Sequence, residues 1–197
     1  MNIGVCGGTF DPFHRGHLEP VLAIRGDMQW DRLIYIPAWR QPFKADRAGT
    51  SGYHRFTMAV LATRDHESIY VSPIELERGG ISYTVETLQE LHEIYPGATF
   101  DWIIGEDNTS QLLDWKHPER LFALARFVVL ARGGPTPAPE LAERVTAGRL
   151  VYAENPAVLI SSTDIRSRVK SGQPIDTLVD PAVSHYIDHY RLYKEGT

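Results

Sequence analysis

The sequence predicts an α/β, Rossmann-like doubly wound parallel sheet of about six strands. It reads as a single domain, 1–197, ending in a helical segment. Three observations carry this. Short apolar runs recur along the chain and are nearly continuous, as strands buried on both faces must be. Longer stretches with helical spacing lie between them. The first run ends in a loop dense with glycine, proline and histidine, where such sheets bind ligands, outside the carboxyl ends of the strands.

The first strand is 2–7 "NIGVCG", followed by the loop 7–17 "GGTFDPFHRGH" and a helix over 17–28. A second strand, 32–37 "RLIYIP", leads through a long polar loop, 38–52, to a helix over 52–65, with Phe56, Val60 and Leu61 at helical spacing. The strand 69–72 precedes a helix over 84–95 that puts Val85, Leu88, Leu91 and Tyr95 on one stripe. The strand 99–104 is followed by a helix over 118–125, opened by Pro118 at the favoured first position. Strands at 126–131 and 149–153 flank "RGGPTPAPE", 132–140, which reads as a surface loop. Helices over 161–172, closed by Gly172, and 181–194 finish the chain. The aromatic-rich 184–193 "SHYIDHYRLY" suits packing on the core, with a partner surface as the alternative; oligomeric state is not legible.

Composition narrows the function classes. Apolar residues at 43% and charged residues at 23% suit a globular chain. The net charge of −5, without a Lys/Arg block, argues against nucleic acid as a partner, so an anionic ligand must be held by a few local donors. No apolar run approaches the ~18 residues of a membrane span, and the opening "MNIGVCGG" speaks against a signal peptide. A single cysteine, Cys6, cannot form an internal disulfide, and a reducing, cytoplasmic setting is the simplest reading.

The opening loop holds the chemistry. Gly7 and Gly8 permit a sharp exit from the strand and close approach of backbone N–H groups to a ligand. Pro12 restricts Phe10-Asp11-Pro12. Gly16 precedes a helix expected to begin near His17, whose free N–H groups favour an anion, and His14 and His17 can both donate to phosphate oxygens. Neither a P-loop nor a dinucleotide glycine pattern is present. The bland alternative is a turn with two solvated histidines. Far along the chain, "ISSTDIR", 160–166, reads as a helix start capped by Ser161, Ser162 or Thr163, with Arg166 one turn in.

"GGTFDPFHRGH" resembles the G-x-F-D-P-x-H-x-G-H signature of the nucleotidylyltransferase superfamily, and "ISSTDIR" its I-S-S-T-x-I-R signature. The middle of the chain is most similar to bacterial nicotinate-nucleotide adenylyltransferases. "IPAWRQPFK", 36–44, resembles their strand-end loop, which usually finishes Pro-His-Lys; Phe43 replaces the His, so only Lys44 carries over. "YHRFTMAVLA", 53–62, resembles the next helix, with Arg55 and Met58 in place. "ISYTVETLQEL", 81–91, resembles the acceptor segment, and "IIGEDNTSQLLDWKHPERL", 103–121, a block containing Gly105, Asp107 and Trp115.

The resemblance implies transfer of the adenylyl group of ATP to nicotinate mononucleotide, releasing pyrophosphate. It implies catalytic roles for His14, His17, Lys44 and Arg166. ATP and its phosphates would lie at Gly7, Gly8, Thr9, Phe10, Gly105, Asp107, Ser161, Ser162 and Thr163, and the acceptor at Tyr83, Thr84 and Trp115. A pyridine ring suits an aromatic face such as Trp115, and its carboxylate suits N–H groups near Tyr83-Thr84. Without the resemblance, a core tryptophan and a capping pair are the readier readings of these residues. Mg²⁺ is expected on the phosphates rather than in a protein metal site, since His14 and His17 have no third ligand at matching spacing. Adenine contacts are expected near 129–132 and 160–163, and loop 38–52, with Arg40, Lys44 and Arg47, is expected to move and close over phosphates. Rival readings are the same chemistry on nicotinamide mononucleotide or phosphopantetheine, and a non-catalytic nucleotide sensor on the same fold.

Overall fold

Six parallel strands form one sheet in the order β3-β2-β1-β4-β5-β6 in this computed structural model, which describes residues 1–42, 49–131 and 139–194. The strands are β1 (Asn2–Gly8), β2 (Arg32–Pro37), β3 (Ile69–Val71), β4 (Thr99–Gly105), β5 (Arg126–Leu130) and β6 (Leu150–Ala153). All six lie where the apolar runs place them, with ends shifted by a residue at most. Strand order reverses direction at β1, which pairs with β2 on one side (Gly8 opposite Pro37) and β4 on the other (Cys6 opposite Ile103). The chain therefore leaves the two sides of the sheet at the carboxyl ends of β1 and β4, which opens a crevice there.

Alternate strand residues feed two cores. Val5, Ile34, Ile36, Trp102 and Phe127 face one side, where they meet α4 (Thr84–Ile94) and α5 (Pro118–Leu124). Cys6, Leu33, Tyr35, Ile103 and Val128 face the other, under α1 (Arg15–Ile24), α2 (Gly52–Thr63), α7 (Ser162–Lys170) and α8 (Pro181–His189). For the element numbering, α3 is Ile74–Arg78 and α6 is Ala142–Thr146.

Several boundaries differ from the sequence expectation. The first helix begins at Arg15, not near His17, because His14 is its N-cap, with an extended backbone (φ −146°, ψ 169°). It ends at Ile24 rather than 28, and the last helix ends at His189, after which a turn carries residues to 194. The buried stripe of α2 is Gly52, Arg55, Met58, Ala59 and Thr63; of the three apolar residues at helical spacing, Leu61 packs at the edge of the core, Phe56 is half-buried and Val60 is exposed. A buried arginine displaces the apolar register. Between β4 and α5 the chain forms a 3₁₀ helix, Glu106–Asp114, and α6 with a short 3₁₀ turn, Pro139–Leu141, lies between β5 and β6, where only a loop was expected. Residues 132–138 of that loop lie outside the described residues.

Candidate active site

The opening loop folds around Phe10. A Cβ on Gly8 would stand 2.7 Å from the Phe10 ring, so this close approach needs glycine. Phe10 itself has φ +54°, a sparsely populated conformation for a bulky residue. Its buried ring holds it there, edge-on to His17 (5.0 Å, 80°) and to Tyr35 (5.9 Å, 70°). The Asp11–Pro12 peptide is cis.

His14 and His17 stack, 3.6 Å apart and 22° from parallel. The backbone N–H of His14 donates to Nδ1 of His17 at 3.2 Å. A backbone N–H can only donate, so Nδ1 accepts and the neutral ring carries its proton on Nε2. His17 thereby offers a fixed N–H donor, and it lines a cavity of about 130 Å³ at the strand ends with Gly7, Phe10, Gly16, Ile104, Gly105, Ala131 and Asn155. The start of α1 adds its positive end. Part of its backbone donor set is already committed, the Arg15 N–H to the Leu178 carbonyl and the His17 N–H to that of His14.

The 160–166 segment closes over the same loop. Ser161 caps α7, accepting the Thr163 N–H at 3.2 Å, and the Ser162 hydroxyl donates to the Pro12 carbonyl at 3.1 Å. Arg166 donates to the Asp11 carbonyl at 2.6 Å and to the Thr163 hydroxyl at 3.2 Å. A Cβ on Gly16 would lie 3.4 Å from Cβ of Ile160, a measure of how closely α1 and this segment meet. The two motifs, separated by most of the chain, form one wall.

On the β4 side, the Asp107 carboxylate folds back over Gly105, where a Cβ would stand 2.5 Å from its Oδ1. Lys44 and Phe43 lie outside the described residues, as does the middle, 43–48, of the span expected to close over phosphates. Both flanks of that span are tied to the site. The Ala38 N–H donates to the Gly8 carbonyl at 2.8 Å, and the Thr50 N–H donates to Asp11 Oδ2 at 3.4 Å.

Tyr83 and Thr84 form a second corner, which the chain just after Trp115 joins through Lys116. Tyr83 is the N-cap of α4 and donates its N–H to Ile81, so of the expected pair it is Thr84, the first helical residue, whose N–H has no acceptor within the helix. Trp115 ends the 3₁₀ helix, partly buried and edge-on to Phe127 at 6.3 Å. Lys116 places its ammonium 4.2 Å from the Tyr83 ring centre and 2.7 Å from Glu86. Ser82 ties this corner to the loop after β2. Its hydroxyl accepts the Trp39 N–H at 3.0 Å and bonds the buried Glu75, while its N–H donates to the Arg40 carbonyl at 2.8 Å. Burial raises the Glu75 carboxyl above the ordinary range, against the hydrogen bonds from Thr87 and Ser82 and the charge of Arg78.

Three residues without an expected role support the site. Arg55, 4% exposed, donates to the carbonyls of Thr9 (2.6 Å), Ala38 (2.6 Å) and Thr50 (3.1 Å). Burial lowers its pKa, while the Asp11 carboxylate and Tyr193 work the other way. Asn155 accepts the Ala131 N–H at 2.9 Å and donates back to its carbonyl at 3.0 Å, extending the edge of the cavity beyond β5. The Tyr193 hydroxyl donates to Asp11 Oδ1 at 2.6 Å. No local sequence pattern signals the last two, since each acts on a distant backbone or side chain. Cys6 also lines the cavity, but burial pushes its thiol far above the ordinary range, so it is not a nucleophile.

Comparison with known proteins decides the family. The cytidylyltransferase-like family model matches residues 5–168. A Roseiflexus protein named probable nicotinate-nucleotide adenylyltransferase is 42% identical over 195 residues, 98% of each chain. The chain belongs to the nicotinate-nucleotide adenylyltransferase family. A Streptomyces coelicolor protein of the same name is 39% identical, covering 95% of this chain and 98% of its own. Among solved structures, Plasmodium falciparum nicotinic acid mononucleotide adenylyltransferase complexed with NaAD has a TM-score of 0.77 at 22% identity, covering 98% of this chain and 97% of that one. The same enzyme complexed with APC also gives 0.77. At that identity the likeness speaks for the fold, and the fold agrees with the family. The chain is a nucleotidyltransferase.

Proposed function

We propose that this chain transfers the adenylyl group of ATP to nicotinate mononucleotide, giving nicotinate adenine dinucleotide and pyrophosphate, as a step of NAD biosynthesis. The observation that carries the reading is the strand-end cavity lined by the opening motif, with the Nε2–H of His17 fixed as a donor at its edge and the second motif bonded to the same loop through Ser162 and Arg166. The acceptor phosphate attacks the α-phosphorus of ATP in line and pyrophosphate leaves, so no protein nucleophile is needed; the protein positions the reactants and offsets charge. His14 and His17 face the reacting phosphates, and Arg166, now on the Asp11 carbonyl, and Lys44 supply cations. The base and polyphosphate run along Gly7–Phe10, Gly105, Asp107 and Ser161–Thr163.

Mg²⁺ enters this reading with ATP, held mainly by phosphate oxygens and water, where it offsets polyphosphate charge. The donor set fits that arrangement, because it offers N–H groups and a guanidinium to phosphate, while the Asp11 carboxylate is already committed to Tyr193 and Thr50. At the second corner, Trp115 offers an aromatic face and Thr84 a backbone donor to the pyridine and its carboxylate. The proposed setting is the cytoplasm, which the single cysteine supports. Among the described residues no helix is long and apolar enough to cross a membrane.

His17→Ala tests the assignment. Pyrophosphate release from ATP and nicotinate mononucleotide should fall by about 10²–10³ in kcat, the usual cost of one preorganised donor, with the far-UV spectrum and melting point near wild type. A folded variant that keeps most of its activity contradicts it.

A further inference from the structure

Asp11 is the joint at which four parts of the chain meet. Its carboxylate accepts the Tyr193 hydroxyl at 2.6 Å and the Thr50 N–H at 3.4 Å, and its carbonyl accepts Arg166 at 2.6 Å. The Asp11 side chain is buried, so its orientation is set by these partners rather than by water. Of the two carboxylate bonds, the one from Tyr193 is much the shorter, and it spans 182 residues of sequence.

The approach of Tyr193 is itself a built feature. After α8 the chain turns with Arg191 at φ +54° and Tyr193 at φ +65°, two positive values in residues that are not glycine. The Leu192 N–H is donated to the Ile187 carbonyl at 3.0 Å, which folds the turn back on its helix. This strained turn delivers one hydroxyl to the phosphate loop. Burial beside Asp11 keeps that hydroxyl protonated and hence a donor.

We infer that Tyr193 is a positioning residue for adenylyl transfer, acting through Asp11 on the loop and on Arg166. Arg166 hangs from the backbone carbonyl of Asp11, so rotation of that residue moves the cation and the Phe10–His14 backbone together. Tyr186 provides the control. On α8, just before the turn that carries Tyr193, its hydroxyl shares a 2.8 Å hydrogen bond with Nδ1 of His54, joining α8 to α2. Tyr186 bonds α2 through His54, whereas Tyr193 bonds Asp11 and the Thr50 side chain, both at the phosphate loop.

The inference rests on reading the site as one for adenylyl transfer, and the experiment separates the two. Tyr193→Phe and Tyr186→Phe are compared in melting temperature and in steady-state kinetics with ATP and acceptor varied in turn. Tyr193→Phe should lower kcat/KM for ATP about tenfold, the scale of a small misplacement, with KM for the acceptor unchanged. Tyr186→Phe should lower the melting temperature to a similar extent without changing kcat/KM. In a cycle with Asp11→Asn, the two kinetic losses should combine to less than their product, since both remove one interaction. The inference is overturned by wild-type kinetics in Tyr193→Phe, by equal kinetic losses in both tyrosine variants, by fully multiplicative losses in the cycle, or by a Tyr193→Phe protein that does not fold. A wild-type protein that releases no pyrophosphate overturns the adenylyl-transfer reading, and this inference with it.

Discussion

At the scale of single residues, Glu75 shows how the acceptor corner is held. Its carboxylate is buried, accepts the Thr87 hydroxyl at 2.6 Å and bonds Ser82, whose hydroxyl also receives the Trp39 N–H. Burial raises its folded pKa, so its contribution to stability is fully present below the unfolded value of about 4.3 and is lost as pH rises through the folded value. Glu75→Gln removes the charge and keeps an acceptor. Melting curves against pH should therefore show the variant gaining on wild type from about pH 4 toward pH 7; a constant difference across that range contradicts the account. Legibility divides at this scale by distance along the chain. His14 and His17 share one contiguous motif, so their juxtaposition can be read directly. The Asp11–Tyr193 and Asn155–Ala131 pairs join segments that nothing local relates.

At the scale of elements, strands were legible because burial on both faces leaves each one a nearly unbroken apolar run. Short helices were not. At five residues α3 and α6 complete little more than one turn, and the 3₁₀ helix Glu106–Asp114 follows a three-residue period and carries mostly polar residues. The buried stripe of α2 departs from its apolar spacing for a different reason. Arg55 faces inward because three loop carbonyls need donors that no strand supplies there, and one guanidinium serves them all. Arg55→Met should leave those carbonyls without their donor and cost about 3 kcal/mol or more in chemical denaturation. Arg55→Lys should recover only part of that loss, because a single ammonium cannot span the three acceptors. Wild-type stability in either variant would show that α2 does not hold the loops in this way.

At the scale of the whole molecule, the sheet supplies a crevice where its strand order reverses, and every proposed participant among the described residues converges near that end. The opening loop, α1, the Ser161–Arg166 segment and the turn after α8 close the phosphate side, and the 81–84 and 105–115 segments form the acceptor side. Family membership follows from the match over nearly the full chain; the choice of acceptor draws on the second corner, where Lys116, next to Trp115 in sequence, lies against Tyr83 at the start of α4. One measurement tests that choice most directly: pyrophosphate release by the purified wild-type protein with ATP and Mg²⁺, given nicotinate mononucleotide, nicotinamide mononucleotide, phosphopantetheine or no acceptor in parallel. The account predicts rapid release and formation of nicotinate adenine dinucleotide with the first, and much lower kcat/KM with the others. Equal or faster turnover of another acceptor, or ATP binding without pyrophosphate release under any of them, would contradict it.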